Sequence, residues 1–135
     1  MKVLESQFRN QIVAHTSFEF GNLYFFKNCV VSEINEGFII DKEEALELGQ
    51  EILKYFDEKI QFYVITNRIH SYSIMPSAQR FISQFNKRIL AVHFVTYDPL
   101  AMRTARFESI FSSVKIMHFT DIHHAILATK QRLVS

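Results

Sequence analysis

Short runs of aromatic and β-branched residues follow one another closely after residue 16. The runs are Phe18–Phe20, Leu23–Phe26 and Cys29–Ile34. Gly21-Asn22 and Lys27-Asn28 separate them, and short polar or Gly-Asn breaks of this kind are hairpin turn signals. The pattern predicts an antiparallel meander whose edge strand lies within Phe18–Phe26. Residues 1–16 have mixed polarity, which is typical of a frayed arm or of one added short element.

The spacing of apolar residues becomes helical after Gly37. Asp41 followed by Glu44 is the signature of a capping box, in which each side chain accepts a hydrogen bond from an otherwise unpaired backbone N–H. One apolar stripe then follows at intervals of three or four residues: Ala45, Leu48, Gly49, Ile52 and Phe56. These signals predict a helix that begins after Asp41 and buries one face.

Three further units repeat the order of an apolar run and then a helix. The runs are Ile60–Thr66, Ile89–Thr96 and Val114–Phe119. The helix starts are marked by Pro76, by Asp98-Pro99 and by Thr120 or Asp121. The residues predicted to line the inner helix faces are Ala78, Phe81, Ile82 and Phe85, then Phe107, Ile110 and Phe111, then Ile122, Ala125, Ile126, Thr129 and Leu133. Because unbroken apolar runs are typical of strands covered on both faces, the units predict parallel βα repeats.

The predicted fold is therefore a single α/β domain over residues 1–135, with a β-meander followed by βα repeats. It has a mixed sheet of about five to six strands and four helices. The 15 Lys and Arg residues nearly balance the 14 Asp and Glu residues, so charge does not favour nucleic acid as a partner. No signal peptide and no membrane-spanning apolar run is visible, and we expect a cytoplasmic protein.

One short polar segment stands out as a candidate binding site. It leaves the end of the predicted strand Ile60–Thr66, and open α/β sheets favour ligand and partner sites at that end of a strand. Its polar members are Asn67, Arg68, His70, Ser71, Tyr72 and Ser73. Arg68 is permanently charged, and Pro76 marks the start of a helix a few residues later in the sequence. We therefore expect this segment to face solvent and to hold an anionic or carbonyl group of a ligand or partner.

The stretch Tyr63–Ser73, with its Asn-Arg-x-x-Ser-Tyr-Ser pattern, resembles small uncharacterised bacterial proteins grouped with the STAS domain family. The order of elements over residues 20–132 is similar to that of the SpoIIAA-like anti-sigma-factor antagonists of the same family. The resemblance implies a regulatory module that acts through protein partners and is switched by phosphorylation near this junction. Ser71 and Ser73 are the nearest hydroxyls, although the family's Asp-Ser-Gly turn is missing. The related CRAL-TRIO domains carry lipids, so the resemblance also implies a small-molecule ligand as an alternative.

Other candidate chemistry is weaker. His118, His123 and His124 lack the spacing and the companion ligands of a zinc site, so we predict no metal, and without a glycine-rich loop we predict no cofactor. A hydrolase built from Ser73, His70 and Asp98 is a third reading, without a nucleophile elbow or oxyanion glycines to support it. Arg103 and Arg106 are typical of a solvated helix face.

The sequence thus predicts a non-enzymatic, STAS-like module that binds a protein partner through the segment 67–73. The alternative is a carrier or sensor for a small apolar or anionic ligand, which the aromatic content also favours. The aromatic edge strand within Phe18–Phe26 invites pairing with a second copy of the chain, so a homodimer is expected.

Overall fold

The computed structural model describes residues 1–82 and 87–131 and has an α/β architecture. A mixed six-stranded sheet forms its centre, as the apolar runs predict. The first three strands, β1 (Ala14–Phe18), β2 (Gly21–Phe25) and β3 (Cys29–Ile34), are an antiparallel meander. The parallel strands are β5 (Phe62–Asn67), β7 (Ile89–Val95) and β8 (Ile116–Phe119). They continue the sheet in the order β1-β2-β3-β5-β7-β8.

Four helices connect or follow these strands. They are α1 (Lys42–Tyr55), α2 (Pro76–Ile82), α3 (Pro99–Ser109) and α4 (Ile122–Gln131). The predicted start signals are confirmed. Asp41 and Glu44 form a capping box at α1, and the Asp98 carboxylate accepts the backbone N–H of Ala101 at α3. Asp121, rather than Thr120, caps α4 by accepting N–H groups from both His123 and His124.

The two faces of the sheet carry separate cores, because successive strand residues point to opposite sides. On one face, α1 packs over Leu23, Phe25, Val30 and Phe62. On the other face, α4 and the N-terminal segment cover a core that contains Cys29, Val31, Tyr63 and Ile65. Cys29 is fully buried, and burial raises the pKa of its thiol to about 12. His93 belongs to the same face, where its Nδ1 lies 2.9 Å from the carbonyl oxygen of Ala125.

Residues 1–13 form an added element that packs against the sheet, which is one of the two structures their mixed polarity allows. Two 3-10 turns, Val3–Glu5 and Arg9–Gln11, cross the α4 face. Val3 and Phe8 are buried there. The edge strand is Ala14–Phe18, so the prediction that the meander begins at Phe18 is wrong by several residues. Phe20 lies in the turn, where it packs instead on Phe18 and Phe38.

The chain also contains a two-stranded parallel sheet that the apolar pattern does not predict. It joins β4 (Ile39–Ile40) to β6 (Ser73–Ile74), two strands of two residues each. This pairing ties the start of α1 to the start of α2. Strands this short carry no periodic signal, which explains why sequence reasoning missed them.

The inner face of α3 is not the predicted one. Phe107 and Ile110 are exposed, whereas Ala105 and Glu108 are buried. The helix turns its small residues towards the sheet because Glu108 has a partner there, as the next section describes. The predicted inner residues Phe81, Ile82, Phe85 and Leu133 lie outside the residues whose side chains the structure describes.

Candidate functional site

Arg68 follows the last residue of β5 and lies inside the protein, so the expectation that it faces solvent is wrong. Its exposed fraction is 4%. The guanidinium carbon lies 4.7 Å from the ring centre of Tyr72 and 4.8 Å from that of Phe94. The Nη2 atom forms an ion pair with Glu108 Oε1 of α3, and this carboxylate is buried as well. Two rings and one carboxylate therefore enclose the cation.

The electrostatics of this pair favour its charged form. Burial alone lowers the pKa of Arg68, but Tyr72 and the contact with Glu108 outweigh that effect and raise the pKa overall. The second oxygen of Glu108 accepts the backbone N–H of Ile74 at 2.9 Å. Nε and Nη1 of Arg68 have no hydrogen-bond partner among the described residues. A buried donor without a partner costs about 1–3 kcal/mol, so these two nitrogens are unusual.

Asn67 is fully buried and holds the N-terminal segment in place. Its Nδ2 donates to Glu33 Oε2 at 2.8 Å and to the carbonyl oxygen of Met1 at 2.9 Å. Glu33 Oε2 also accepts the backbone N–H of Val3 at 2.7 Å. The hydroxyl of Tyr97 donates to Asn67 Oδ1, and burial together with Glu33 and Asp121 raises the pKa of Tyr97 to about 12. The side chain of Asn67 is thus engaged in a structural contact.

Four of the six predicted site residues meet at a small polar pocket of about 100 Å³. We call it the polar pocket, and it lies between the segment after β5 and the first turns of α3. Arg68, His70, Ser71 and Tyr72 contribute from the segment, and Leu100, Ala101 and Thr104 contribute from α3. The structure therefore brings most of the segment to one concave site, although Arg68 reaches it from within the protein.

Ser71 and His70 form the exposed rim of this pocket, and a carboxylate lies beside both. The backbone N–H of Ser71 donates to Glu36 Oε2 at 2.7 Å. His70 Nδ1 lies 3.8 Å from the same oxygen. Ser73 is half-buried in β6 and does not line the pocket. Of the two candidate modification sites, Ser71 is the exposed one.

A second cavity, of about 110 Å³, lies between the sheet and α1. We call it the apolar cavity. Its walls come from both sides: Leu23, Phe62, Val64, Val92 and Phe94 of the sheet, and Leu48, Ile52 and Leu53 of α1. The polar side chains on its wall are Ser32, Thr66, Tyr72, Gln79 and Ser112. The hydroxyl oxygen of Thr66 on this wall is buried and has no hydrogen-bond partner among the described residues.

Two small residues of α1 create part of this space. Ala45 and Gly49 lie one turn apart and both line the cavity. Glycine inside a helix costs about 1 kcal/mol relative to alanine, and Gly49 has no positive φ angle that would require it. A larger residue at either position would add atoms at the cavity wall. The helix therefore gives up stability at a position where the protein keeps a void.

Glu108 is the site residue that sequence reasoning missed. The signal available was weak: Ala101, Ala105 and Glu108 share helical spacing, which places a carboxylate on a face of small residues. Phe107 and Phe111 make a different face of the helix look buried in the sequence, because large apolar side chains usually indicate burial. Only the position of Arg68 in the fold identifies the face that is buried.

The other sequence candidates are dispersed. Within residues 1–82 and 87–131, no three His, Cys, Asp or Glu side chains are grouped as a metal site would require. His123 contacts Asp121 and Phe8, and His118 lies against Phe94. Of the three residues considered for a hydrolase, Asp98 caps α3, His70 lies near Glu36 and Ser73 is part of β6.

No protein-family model matches this chain, and comparison with curated proteins and with solved structures also finds no match. The described helices include none that is both long and apolar enough to cross a bilayer. Function therefore has to be argued from the geometry of the two cavities.

Proposed function

We propose that this protein binds a small apolar molecule in the apolar cavity and acts as its carrier or sensor. The observation that carries the proposal is a partly open cavity of about 110 Å³ with largely apolar walls beneath α1. Protein interiors are close-packed, and a void of this size forfeits dispersion contacts unless something occupies it. In this proposal the domain is a STAS-like relative of the CRAL-TRIO carriers, as the order of its elements suggests.

The cavity limits the class of ligand. An apolar cavity of about 150 Å³ is large enough for benzene, so a void of about 110 Å³ suits a molecule of that size or less, or the end of an alkyl chain. Each Å² of apolar ligand surface buried against these walls contributes about 25 cal/mol to the free energy of binding. The polar edge at Ser32, Thr66 and Tyr72 allows one hydroxyl or carbonyl group on the ligand.

Filling the cavity from α1 tests the proposal. We expect Gly49→Leu to weaken benzene binding at least tenfold, because the new side chain occupies the space the ligand needs. Folding should survive, since leucine is a much better helix former than glycine and offsets the cost of tight packing. Binding is measured by titration of benzene into the isotope-labelled protein and observation of amide shifts around α1. Native mass spectrometry of freshly purified protein checks for a retained ligand.

Gln50→Leu is the matched control. It adds the same side chain to the same helix at the exposed neighbouring position. Benzene binding that is equal in wild type, Gly49→Leu and Gln50→Leu would show that the ligand lies elsewhere. Absence of saturable binding by the wild type, together with no retained ligand, would rule out the carrier role.

A second candidate function, association through a protein surface, is favoured by a different observation. Leu100 and Phe107 of α3 and Ile110 at its C-terminal cap have exposed fractions of 61%, 58% and 74%. Monomeric proteins seldom expose several large apolar side chains together. In this proposal α3 packs against a second copy of the chain, next to the rim at Ser71. The expected homodimer would then form through this helix and not through the edge strand.

Ultracentrifugation over a range of concentrations tests this second candidate. We expect a reversible dimer in the wild type and a monomer for Ile110→Glu, because the added carboxylate cannot be buried against an apolar partner. Met117→Glu, at a partly exposed position of the edge strand β8, is the control for charge alone and should stay dimeric. A wild type that remains monomeric at all concentrations would exclude self-association.

A further inference from the structure

We infer that the outer face of α3 docks on a membrane surface that carries anionic lipid. Leu100, Arg103, Phe107 and Ile110 follow one another at intervals of three, four and three residues. Residues at this spacing share one side of a helix, and Ile110, the C-cap residue, still has α-helical backbone angles. Arg106 lies three residues after Arg103, and all five side chains are exposed. We call these five residues the docking face.

The distribution of apolar side chains on α3 is the reverse of that on an ordinary surface helix. Such a helix packs its large apolar residues on the core, whereas α3 buries the small Ala105. Leu100, Phe107 and Ile110 remain more than half exposed. Clusters of exposed apolar side chains mark places where a protein contacts another apolar surface. The docking face therefore requires a partner that offers apolar contact.

The charges of α3 select the kind of partner. Arg103 and Arg106 place two positive charges among the apolar side chains. Glu108 is the one acidic residue within Pro99–Ser109, and it is buried in an ion pair. Asp98, which precedes the helix, uses its carboxylate as the N-cap. Since an anionic bilayer presents negative headgroups above an apolar interior, it complements both features of the face.

A second copy of the chain is the competing occupant of the same face. It would bring the same two arginines to the contact, whereas an anionic bilayer brings the opposite charge. Charge complementarity therefore favours the bilayer where such lipid is present. A reversible dimer and a docked monomer would use the same side chains, so anionic vesicles should convert dimers into bound monomers.

The docking face continues along the chain into the wall of the apolar cavity. Ser112 and Val114, which follow Ile110 closely in sequence, line that cavity. Docking would thus bring this wall near the bilayer, where apolar molecules are dissolved. This consequence rests on the proposed carrier function, whereas docking itself does not.

Flotation with lipid vesicles tests the inference on the full chain. One set of vesicles is an equimolar mixture of phosphatidylcholine and phosphatidylserine, and the other is phosphatidylcholine alone. We expect saturable binding to the anionic vesicles that weakens as salt is added, because ions screen exposed charges. Each arginine near an anionic surface contributes about fivefold to the affinity, so neutral vesicles should bind about 25-fold more weakly.

Paired variants locate the contact. Arg103→Gln/Arg106→Gln should weaken binding to anionic vesicles about 25-fold. Lys42→Gln/Lys54→Gln makes the same change in net charge at exposed positions of α1 and should leave binding nearly unchanged. Phe107→Ser should weaken binding about tenfold through lost apolar burial.

Leu46→Ser, at an exposed apolar position of α1, is the control for Phe107→Ser and should bind like wild type. A wild type that does not float with anionic vesicles, whether monomeric or dimeric, would overturn the docking. Equal binding to both kinds of vesicle would overturn the anionic partner, and unchanged binding by the arginine or Phe107 variants would overturn the face. Benzene binding is measured separately, so failure of the docking is distinguishable from failure of the carrier role.

Discussion

Replacing Glu108 with leucine is expected to lower the free energy of unfolding by about 3–5 kcal/mol, the cost of leaving a buried charge without its partner. Arg68 would then lie between Tyr72 and Phe94 with no carboxylate to compensate it. The backbone N–H of Ile74 would lose its acceptor as well. Urea unfolding of the single variant measures the loss.

The double variant Arg68→Met/Glu108→Leu separates the charge effect from a packing effect. Buried ion pairs replaced by apolar residues of similar volume are often nearly neutral, so we expect most of the lost stability to return. About 1–2 kcal/mol should remain lost because of the Ile74 N–H. Arg103→Met, an exposed arginine of the same helix, should change stability by less than about 0.5 kcal/mol. A double variant as unstable as Glu108→Leu would contradict the assignment of an ion pair.

Phe62→Ala should be similarly destabilising, by about 3–5 kcal/mol. Phe62 is fully buried, stacks on Phe56 with ring centres 4.2 Å apart and forms part of the wall of the apolar cavity. Removing its ring deletes these contacts and enlarges a void that is already present. The loss is measured by urea unfolding of the ligand-free protein.

The Phe62→Ala variant also links the free energy of unfolding to ligand binding. An enlarged cavity should accept benzene more readily, and a ligand at ten times its dissociation constant adds about 1.4 kcal/mol to the stability of the folded state. Benzene should therefore restore part of the stability of Phe62→Ala. Tyr55→Ala, which removes a half-exposed ring that contacts Phe25 and Phe56, is a control in which benzene should have no such effect beyond that in wild type. Equal restoration in both variants would argue against a cavity site.

The architecture could be predicted because its signals are local. Asp41 with Glu44, Pro76 and Asp98-Pro99 each mark a helix start through chemistry within one turn, and each is confirmed. The parallel strands follow from apolar runs that are long enough to require cover on both faces. The predictions are wrong where tertiary contacts determine the local structure. At Ala14–Phe18, for example, pairing with β2 extends a strand through polar residues.

The sequence predicted which segment reaches the site, but not which of its side chains are buried or what they contact. The segment after β5 does reach a pocket, yet the exposure of Arg68 depended on a residue forty positions away. Sequence patterns carry no information on such a pairing, because Glu108 lies among large apolar residues and resembles a surface position of α3. The apolar cavity was equally hidden, since a void is a property of how α1 lies on the sheet and not of any one residue.

Cys29 is the single cysteine of the chain and lies in the core of the sheet, so its rate of chemical modification reports how often the molecule opens. Because Cys29 is inaccessible and almost wholly protonated at neutral pH, a maleimide or disulfide reagent can modify it only when β3 has separated from its neighbours. The rate of labelling in water therefore reports the population of opened molecules without any engineered probe. A ligand that occupies the apolar cavity should lower the labelling rate by the factor 1 + [L]/Kd, so this one natural atom also serves as an assay of binding.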